Sequence, residues 1–444
     1  MAYLRDRRAF GNIGTRKFRG ARFGDPLSPR VSPFTPTVVS TSTVVSNSSD
    51  QFISGVPCST PSFFDGTRYW AFYTESSALK CKYSTDGITW VSSFTDAAGT
   101  GNVPGINNGG RAFSIGFGTI SSTPFAFGLL NRADAGPGKS YDIWKWNLTS
   151  GGLSFSANVT PSIADKASGH NHITPIYSSG FEVSSLLGVV QDFGAPESVS
   201  SVASKSINPS TLANTGMGGG DWATLGYAEI NRTFKLSDGF LLFGNDEGGN
   251  GDPDLTGHGL AAEKTLTTLG VGAFGSEVNV TGTLFTDQNY AVNESHVGQS
   301  GSIQTDDGTV WCAFCDATDT TNGDYGKIHL LSRGVAKSGT WSLVDDDLLS
   351  GDLAGAVTLT TDGTNLLICY SDYTGGAKTN KVKSLMYNAS TMEKSTKILV
   401  ANAASGHEVI RLASSYKAHS STNLITWSEK DGATYDLRSA AISF

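Results

Sequence analysis

A tyrosine, a carboxylate and a histidine stand close together in the segment NYAVNESH, at Tyr290, Glu294 and His296. Phenol and carboxylate side chains can act as nucleophiles, and an imidazole exchanges protons near neutral pH. Two carboxylates about 5–9.5 Å apart would also support glycoside hydrolysis, but a sequence does not give that distance. The alternative is that Glu294 and His296 only hold the fold together. We name these three as the candidate catalytic residues, while the sequence as a whole favours a protein that is not an enzyme.

A second cluster of polar residues has the composition of a calcium loop. The segment GNDEGGNGDPD brings together Asp246, Asn250, Asp252 and Asp254, whose oxygens are of the type that calcium prefers. Their spacing does not follow the register of an EF-hand loop. We therefore predict no cofactor, with calcium at this loop as the alternative.

Histidine and cysteine offer two further routes to metal binding. His170, His172 and His407 precede or open β-prone segments, where hydrogen bonding is the simpler role and a metal-binding ring the alternative. Cys312 and Cys315 form a C-x-x-C, but residues three apart in a strand point to opposite faces and do not easily chelate one ion. We expect these cysteines to be buried structural thiols and predict no metal site.

The N-terminal segment differs in charge from the rest of the chain. Residues 1–30 carry eight basic and two acidic side chains, a net charge of +6, so the remaining residues carry −14 of the total of −8. Glycines, prolines and aromatic residues alternate with the arginines through residue 36, which predicts an extended arm without a core of its own. Aromatic rings and guanidinium groups together suit docking into a neighbouring protein subunit. The residues that we expect to dock are Arg5, Arg7, Arg8, Phe10, Arg16, Lys17, Phe18, Arg19, Arg22 and Phe23.

Two other roles for this arm stay open. Arginine with aromatic residues also suits nucleic acid, through phosphate contacts and base stacking. The simplest alternative is a solubilising tail or targeting peptide that docks nowhere.

The elements that position these residues follow a repeat. Seven short runs rich in β-branched and aromatic residues each end in an acidic residue, at gaps of 54 to 70 residues; the seven ends are Glu75, Asp134, Asp192, Asp246, Asp316, Asp372 and Glu429. A four-stranded propeller blade takes about 40–50 residues. Asp-Gly pairs at Asp65, Asp238, Asp307 and Asp362 precede four of the runs and suit two-residue hairpin turns. The acidic ends would either cap such turns or ring one face of the molecule with negative charge.

The last unit is one strand short, and TVVSTSTVV near the N-terminus has no unit of its own. Pairing the two would cover two open sheet edges. We therefore predict an all-β fold, a seven-bladed β-propeller closed by an N-terminal strand and preceded by an extended basic arm. The predicted domains are the arm at 1–36 and the propeller at 37–444, which has its closing strand at 37–47 and blades at about 52–100, 101–160, 161–220, 221–285, 286–350, 351–402 and 403–444.

One turn resembles a family motif. The segment from Ser84 to Trp90, STDGITW, is similar to the Asp-box of sialidase-like propellers, although one residue between Asp86 and Gly87 is missing. The resemblance implies a structural hairpin in which Asp caps turn amides, Gly takes the left-handed conformation and Trp packs beneath. Sialidase activity would also need a cluster of three arginines, and no arginine here stands in the Arg-Ile-Pro context that the family implies.

The sequence has no run of about 18 apolar residues for a membrane span and no apolar core of a signal peptide. We expect synthesis in a cytoplasm. The architecture resembles that of bacteriophage tail-associated propellers of the nozzle or fibre-adaptor type. This resemblance implies a structural virion protein, tail- or vertex-associated, that is made in the host cytoplasm and located in the virion. Its partners would be other virion subunits in a homo-oligomeric ring or symmetric array. The alternative is a glycan-binding or sialidase-like glycoside hydrolase propeller acting on host surface polysaccharide.

Overall fold

The computed structural model describes residues 34–48, 62–75, 78–93, 113–131, 141–159, 171–194, 200–213, 218–222, 228–246, 262–269, 275–276, 278–280, 301–315, 326–373, 380–415, 417–419 and 421–444. The chain divides into two compact units, Met1–Pro33 and Phe34–Phe444, and every described residue belongs to the second. The regular elements of this part are all β-strands. None of its segments is a helix with the length and apolar character needed to span a membrane.

The first strand, β1 (Thr37–Ser48), stands apart in sequence from the sheet that it joins. The first group of successive strands is β2 (Ser62–Phe64), β3 (Tyr69–Glu75), β4 (Ala78–Ser84) and β5 (Val91–Ser92). The second group is β6 (Phe113–Ile120), β7 (Thr123–Asn131), β8 (Tyr141–Thr149) and β9 (Gly152–Val159). The third group is β10 (Asn171–Ser179), β11 (Glu182–Gly194), β12 (Ser200–Ile207) and β13 (Gly218–Trp222).

The fourth group is β14 (Ala228–Leu236), β15 (Gly239–Asp246), β16 (Ala262–Leu266) and β17 (Val278–Asn279). The fifth is β18 (Gly301–Gln304), β19 (Val310–Cys315), β20 (Ile328–Arg333) and β21 (Trp341–Asp345). The sixth is β22 (Ala354–Thr361), β23 (Asn365–Asp372), β24 (Lys381–Asn388) and β25 (Ile398–Asn402). The last three strands are β26 (Glu408–Ser414), β27 (Thr422–Asp431) and β28 (Thr434–Ser443).

Each group is an antiparallel meander, because consecutive strands pair with one another. The second and third groups form one eight-stranded sheet through a single parallel pair between Thr119 and Glu182. The last sheet has the order β1-β28-β27-β26, so β1 supplies its fourth strand by pairing antiparallel with β28 from Thr37 opposite Ser443 to Ser48 opposite Tyr435. In the described residues the 28 strands thus make seven successive sets of four.

The core lies between the faces of successive sheets. Phe72 of the first set packs with Trp146 of the second, and Leu359 of the sixth packs with Ile303 of the fifth. The last set packs on the sixth, and its other face meets the first through Leu437 and Tyr73. Apolar residues on both faces of inner strands are therefore buried, which explains why the sequence shows near-continuous apolar runs there.

Three Asp-Gly pairs connect first and second strands but do not form two-residue turns. Phe64 pairs with Tyr69, and Thr361 with Leu366, so four residues separate the paired positions at both Asp65 and Asp362. At Asp307 the paired positions, Gln304 and Val310, are farther apart. The two-residue prediction is wrong for these hairpins, because the aspartate side chain folds the turn. The carboxylate of Asp65, for example, accepts hydrogen bonds from two backbone amides at 2.7 Å each. The glycines do take positive φ angles of 94°, 88° and 108°.

Candidate functional site

Most of the residues that the sequence singled out lie outside the described part of the chain. This holds for the candidate catalytic residues Tyr290, Glu294 and His296, and for Asn250, Asp252 and Asp254 of the calcium loop. Asp246 ends β15, but its side chain is not described. The docking residues of the arm also lie outside: Arg5, Arg7, Arg8, Phe10, Arg16, Lys17, Phe18, Arg19, Arg22 and Phe23. Among the residues that are described, no three His, Cys, Asp or Glu side chains are grouped to hold a metal ion.

The seven acidic runs fall in equivalent places. They lie in or lead out of β3, β7, β11, β15, β19, β23 and β27, which is every fourth strand. The side chains of Asp372 and Glu429 are only 1% exposed, and each contacts a basic group. Lys383 Nζ lies 3.0 Å from Asp372 Oδ1. These two carboxylates are therefore paired inside the fold and add no free negative charge to a face.

Glu429 lies at the centre of a small polar cluster next to the start of β26. His407 Nδ1 lies 3.1 Å from Glu429 Oε1, and Arg438 Nε lies 3.8 Å from Oε2. The Ala404 backbone N–H also donates to Oε1 at 2.9 Å. A buried carboxylate is costly unless it is paired and hydrogen-bonded. Oε1 meets that requirement through the Ala404 amide, whereas Oε2 has only the ion-pair contact with Arg438. The contacts of Ala404 and His407 with Glu429 fix the connection between β25 and β26, so we assign the cluster to the fold.

The Asp86 turn has the geometry of a hairpin clip. Asp86 Oδ1 accepts hydrogen bonds from the amides of Ile88 and Thr89 at 2.8 and 2.7 Å, and Gly87 has a φ of +71°. The Thr89 amide, then the Ile88 amide and the Ser84 hydroxyl hold the pKa of Asp86 well below its usual range. The turn contacts β1, because Ser42 donates to the Gly87 carbonyl at 2.9 Å.

Most of the described tryptophans lie inside the molecule. Six are at most 8% exposed and belong to the clusters between sheets: Trp70, Trp144, Trp146, Trp311, Trp341 and Trp427. Trp90 is partly buried, and its indole N–H donates to Ser42 Oγ at 2.8 Å. The side chain of Trp222 is not described. None of the seven indoles that the structure describes is therefore left as an exposed stacking platform.

A cavity of about 350 Å³ opens near the ends of β10, β14, β18 and β26, which belong to four different sets of strands. Tyr177 of β10, Lys235 of β14 and Gln304 of β18 line it, together with Asp306 from the following turn and Lys417 after β26. The Lys417 side chain is 7% exposed and forms an ion pair with Asp306, which is 54% exposed. Its ammonium group also lies 5.4 Å from the centre of the Tyr177 ring.

Sequence reasoning did not find this cavity. Lys417 and Asp306 are 111 positions apart, and neither lies in a motif. Only the arrangement of the sheets brings them together. The one local signal is the doubled aspartate at Asp306 and Asp307, where a single carboxylate suffices to fold the turn.

No family model matches the sequence, and no curated protein matches it. Among solved structures, the polysaccharide lyase Uly1 is similar with a TM-score of 0.50 and 11% identity, over 87% of this chain and 90% of that one. An α-L-arabinofuranosidase from Fusarium graminearum has a TM-score of 0.44 and 12% identity, over 78% and 99% of the two chains. A subtype N10 neuraminidase-like protein of A/little yellow-shouldered bat/Guatemala/060/2010 has a TM-score of 0.39 and 11% identity, over 74% and 94% of the two chains. Because the other two TM-scores are below 0.5, only the lyase supports an argument, and at 11% identity that argument concerns the fold alone: the chain is all-β and β-propeller-like.

Proposed function

We propose that the chain is a seven-bladed β-propeller, closed by β1, that serves as a structural subunit of a bacteriophage virion. In this proposal each set of four strands is one blade. The packing of the last set on the first supports a closed ring. The arm at residues 1–36 docks into neighbouring subunits of the tail or vertex.

The location of the tryptophans carries the structural role. Small-molecule sites are lined mainly by apolar and aromatic side chains, with a few polar groups that fix the ligand. Here Trp70, Trp311 and Trp341 point their indole N–H groups at Asp65, Thr305 and Glu263, which are part of the fold. Their large apolar surfaces are buried in the contacts between strands and sheets. This use of indoles fits a rigid assembly part better than a groove that stacks glycan chains on tryptophan.

The charge distribution supports docking by the arm. Residues 1–30 carry +6 and the remainder −14. Opposite charges on two parts of one chain steer copies of that chain toward each other and penalise wrong partners. The resemblance to tail-associated propellers makes a virion the most specific form of such an assembly.

The native mass of the particle tests the assembly role. The full-length chain has a monomer mass of 46.6 kDa, and we expect mass photometry to show an oligomer. A chain lacking residues 1–36 should give the same far-ultraviolet circular dichroism but the mass of a monomer. A full-length protein that stays monomeric at micromolar concentration would overturn the assembly role.

The virion part needs a separate measurement. We expect the chain to co-purify with phage particles banded on a density gradient from the lysate in which it is produced. The chain lacking residues 1–36 should be soluble in that lysate and absent from the band. A full-length chain that is produced but missing from the particles contradicts a virion role while leaving other assemblies open.

A further inference from the structure

The ion pair in the cavity is held in place from both sides. The Asp306 amide donates to the Gly363 carbonyl at 2.8 Å, which anchors the aspartate to the neighbouring hairpin. Gly363 has a φ of +108°, and a Cβ there would lie 2.7 Å from Asp306 Cγ. The Asp306 carboxylate therefore packs against the Gly363 backbone, where only glycine leaves room for it. On the other side, Lys417 lies over the Tyr177 ring.

Both members of the pair keep unused hydrogen-bonding capacity. An ammonium group has three donors, and within the described residues Lys417 donates one hydrogen bond, to Asp306 Oδ1. In the part of the chain that the structure describes, the other carboxylate oxygen of Asp306 accepts no hydrogen bond, and the side chain is 54% exposed. A donor and an acceptor thus stand next to each other at the wall of a cavity.

The adjacent charges select the chemistry of a ligand. A ligand anion at Lys417 would meet the Asp306 carboxylate at contact distance, and a ligand cation at Asp306 would meet the Lys417 ammonium. A hydroxyl group avoids both conflicts, because it accepts from the ammonium and donates to the carboxylate. We propose that this cavity binds one unit of a neutral, hydroxyl-rich ligand, a saccharide.

The size and remaining walls fit a single sugar unit. About 350 Å³ lies at the lower end of the range for small-molecule sites. Pro175, Ile176 and Phe234 add apolar groups to the lining, and Ser178 and Lys235 add polar groups. The site uses only residues of the strand-forming unit, so it does not rest on the assembly role proposed above.

Binding is tested on the full-length chain with free sugars. Saturation-transfer difference NMR would use D-glucose, D-galactose, D-mannose and N-acetyl-D-glucosamine as neutral probes. Glucuronate, spermidine and glycine serve as anionic, cationic and zwitterionic probes. We expect at least one neutral sugar to bind with a millimolar dissociation constant and the charged probes to bind at least tenfold more weakly. No binding by any of the four neutral sugars overturns the proposal.

Substitutions locate the site. Lys417→Met and Asp306→Asn should each weaken sugar binding at least fivefold, whereas Lys397→Met, which removes a lysine paired with Asp352 outside the cavity, should leave it unchanged. If Asp306→Asn instead creates tight glucuronate binding and leaves the sugar unaffected, the cavity is an anion site and the proposal is wrong.

A second pair of variants covers the case in which loss of buried Lys417 unfolds the protein. Gly180 lines the cavity with a φ of +50°, and a Cβ there meets no atom within 4 Å. Gly180→Asn, with a residue that tolerates this conformation, should obstruct the cavity and weaken binding at least fivefold. Gly432 has a φ of +56° and equally open space but lies outside the cavity. If Gly432→Asn weakens binding as much as Gly180→Asn, the sugar binds elsewhere.

Discussion

The guanidinium of Arg333 shows how single residues join neighbouring sheets. Its side chain is fully buried, and Nε and Nη2 donate to the two oxygens of Glu263 at 2.6 and 3.1 Å. The remaining donors reach the carbonyls of Gly334, Ala336 and Lys337. All five N–H groups of the guanidinium are therefore used. Because Glu263 lies in β16 and Arg333 in β20, the network ties the fourth set of strands to the fifth.

Glu263→Gln should destabilise the protein strongly, because it leaves the buried Arg333 charge uncompensated. Removing one partner of a buried ion pair costs roughly 3–5 kcal/mol. We expect a clearly lower midpoint in urea unfolding followed by tryptophan fluorescence. Asp352→Asn is the matched control, since its pairs with Lys397 and Lys383 are 21% to 33% exposed and should each contribute less than about 1 kcal/mol. Equal shifts for the two variants would contradict the structural importance of the Glu263 network.

Asp86 predicts a pH effect on stability. Hydrogen bonds from Thr89, Ile88 and Ser84 lower its pKa in the folded state. A lowered pKa means that the stabilisation is complete above the pKa of the unfolded chain, about 4, and is lost as the pH falls toward the folded value. We expect the melting temperature of Asp86→Asn to fall less between pH 5 and pH 2 than that of the parent.

Asp346→Asn changes charge by the same amount at an exposed aspartate and serves as the control for Asp86→Asn. It shows how much of the flattening follows from net charge alone. If both variants have the same pH profile, the turn hydrogen bonds of Asp86 contribute nothing specific.

At the scale of elements, β1 is the strand that the sequence places farthest from its neighbours. It pairs with β28. Val38 of this strand and the preceding Phe34 pack against the apolar cluster between the sixth set of strands and the last set. Ser42 and Trp90 connect it to the first set of strands. The strand is thus contacted from three sides, which makes it part of the fold rather than of the arm.

Removing residues 1–33 should leave a cooperatively folded protein, whereas removing residues 1–48 should not. The longer deletion exposes the edge of β28 and uncovers part of two core clusters, and an open sheet edge promotes aggregation. We expect the protein that lacks residues 1–48 to bind the dye ANS and to aggregate at micromolar concentration. If both deletions melt at the same temperature, β1 does not stabilise the last sheet.

Sequence patterns identified the strands better than the turns. The acidic runs marked one strand in every set of four, because burial on both faces forces a continuous apolar composition. The Asp-Gly pairs at Asp65 and Asp362 predict turns that are too short, because a dipeptide does not show whether aspartate or glycine folds the turn. The arrangement at Glu263 and Arg333 was also missed, since partners 70 positions apart leave no local signature.

At the scale of the whole molecule, contacts between sets connect residues that are a full repeat apart or more. Thr174 Oγ1 accepts from the Thr233 amide 59 positions away, and Thr358 and Ser414 share a hydrogen bond across 56 positions. These sequence separations match the spacing of the acidic runs, so the repeat determines which sets of strands are neighbours. A cavity formed by four sets then depends on the entire arrangement, which explains why its residues carry no motif.

Charge and burial make separable contributions to docking of the arm, and salt distinguishes them. Replacing Arg5, Arg7, Arg8, Arg16, Arg19 and Arg22 by Ala should weaken assembly most at low salt, because the Debye length shrinks from about 30 Å at 0.01 M to about 8 Å at 0.15 M. Replacing Phe10, Phe18 and Phe23 by Ala should weaken it at all salt concentrations, since each fully buried ring contributes roughly 1.5–3 kcal/mol. Mass photometry between 10 and 500 mM NaCl measures both, with the chain lacking residues 1–36 as the reference for complete loss. If the phenylalanine variant assembles like the parent while the arginine variant loses only nucleic acid binding, the arm is a nucleic-acid contact and not a subunit anchor.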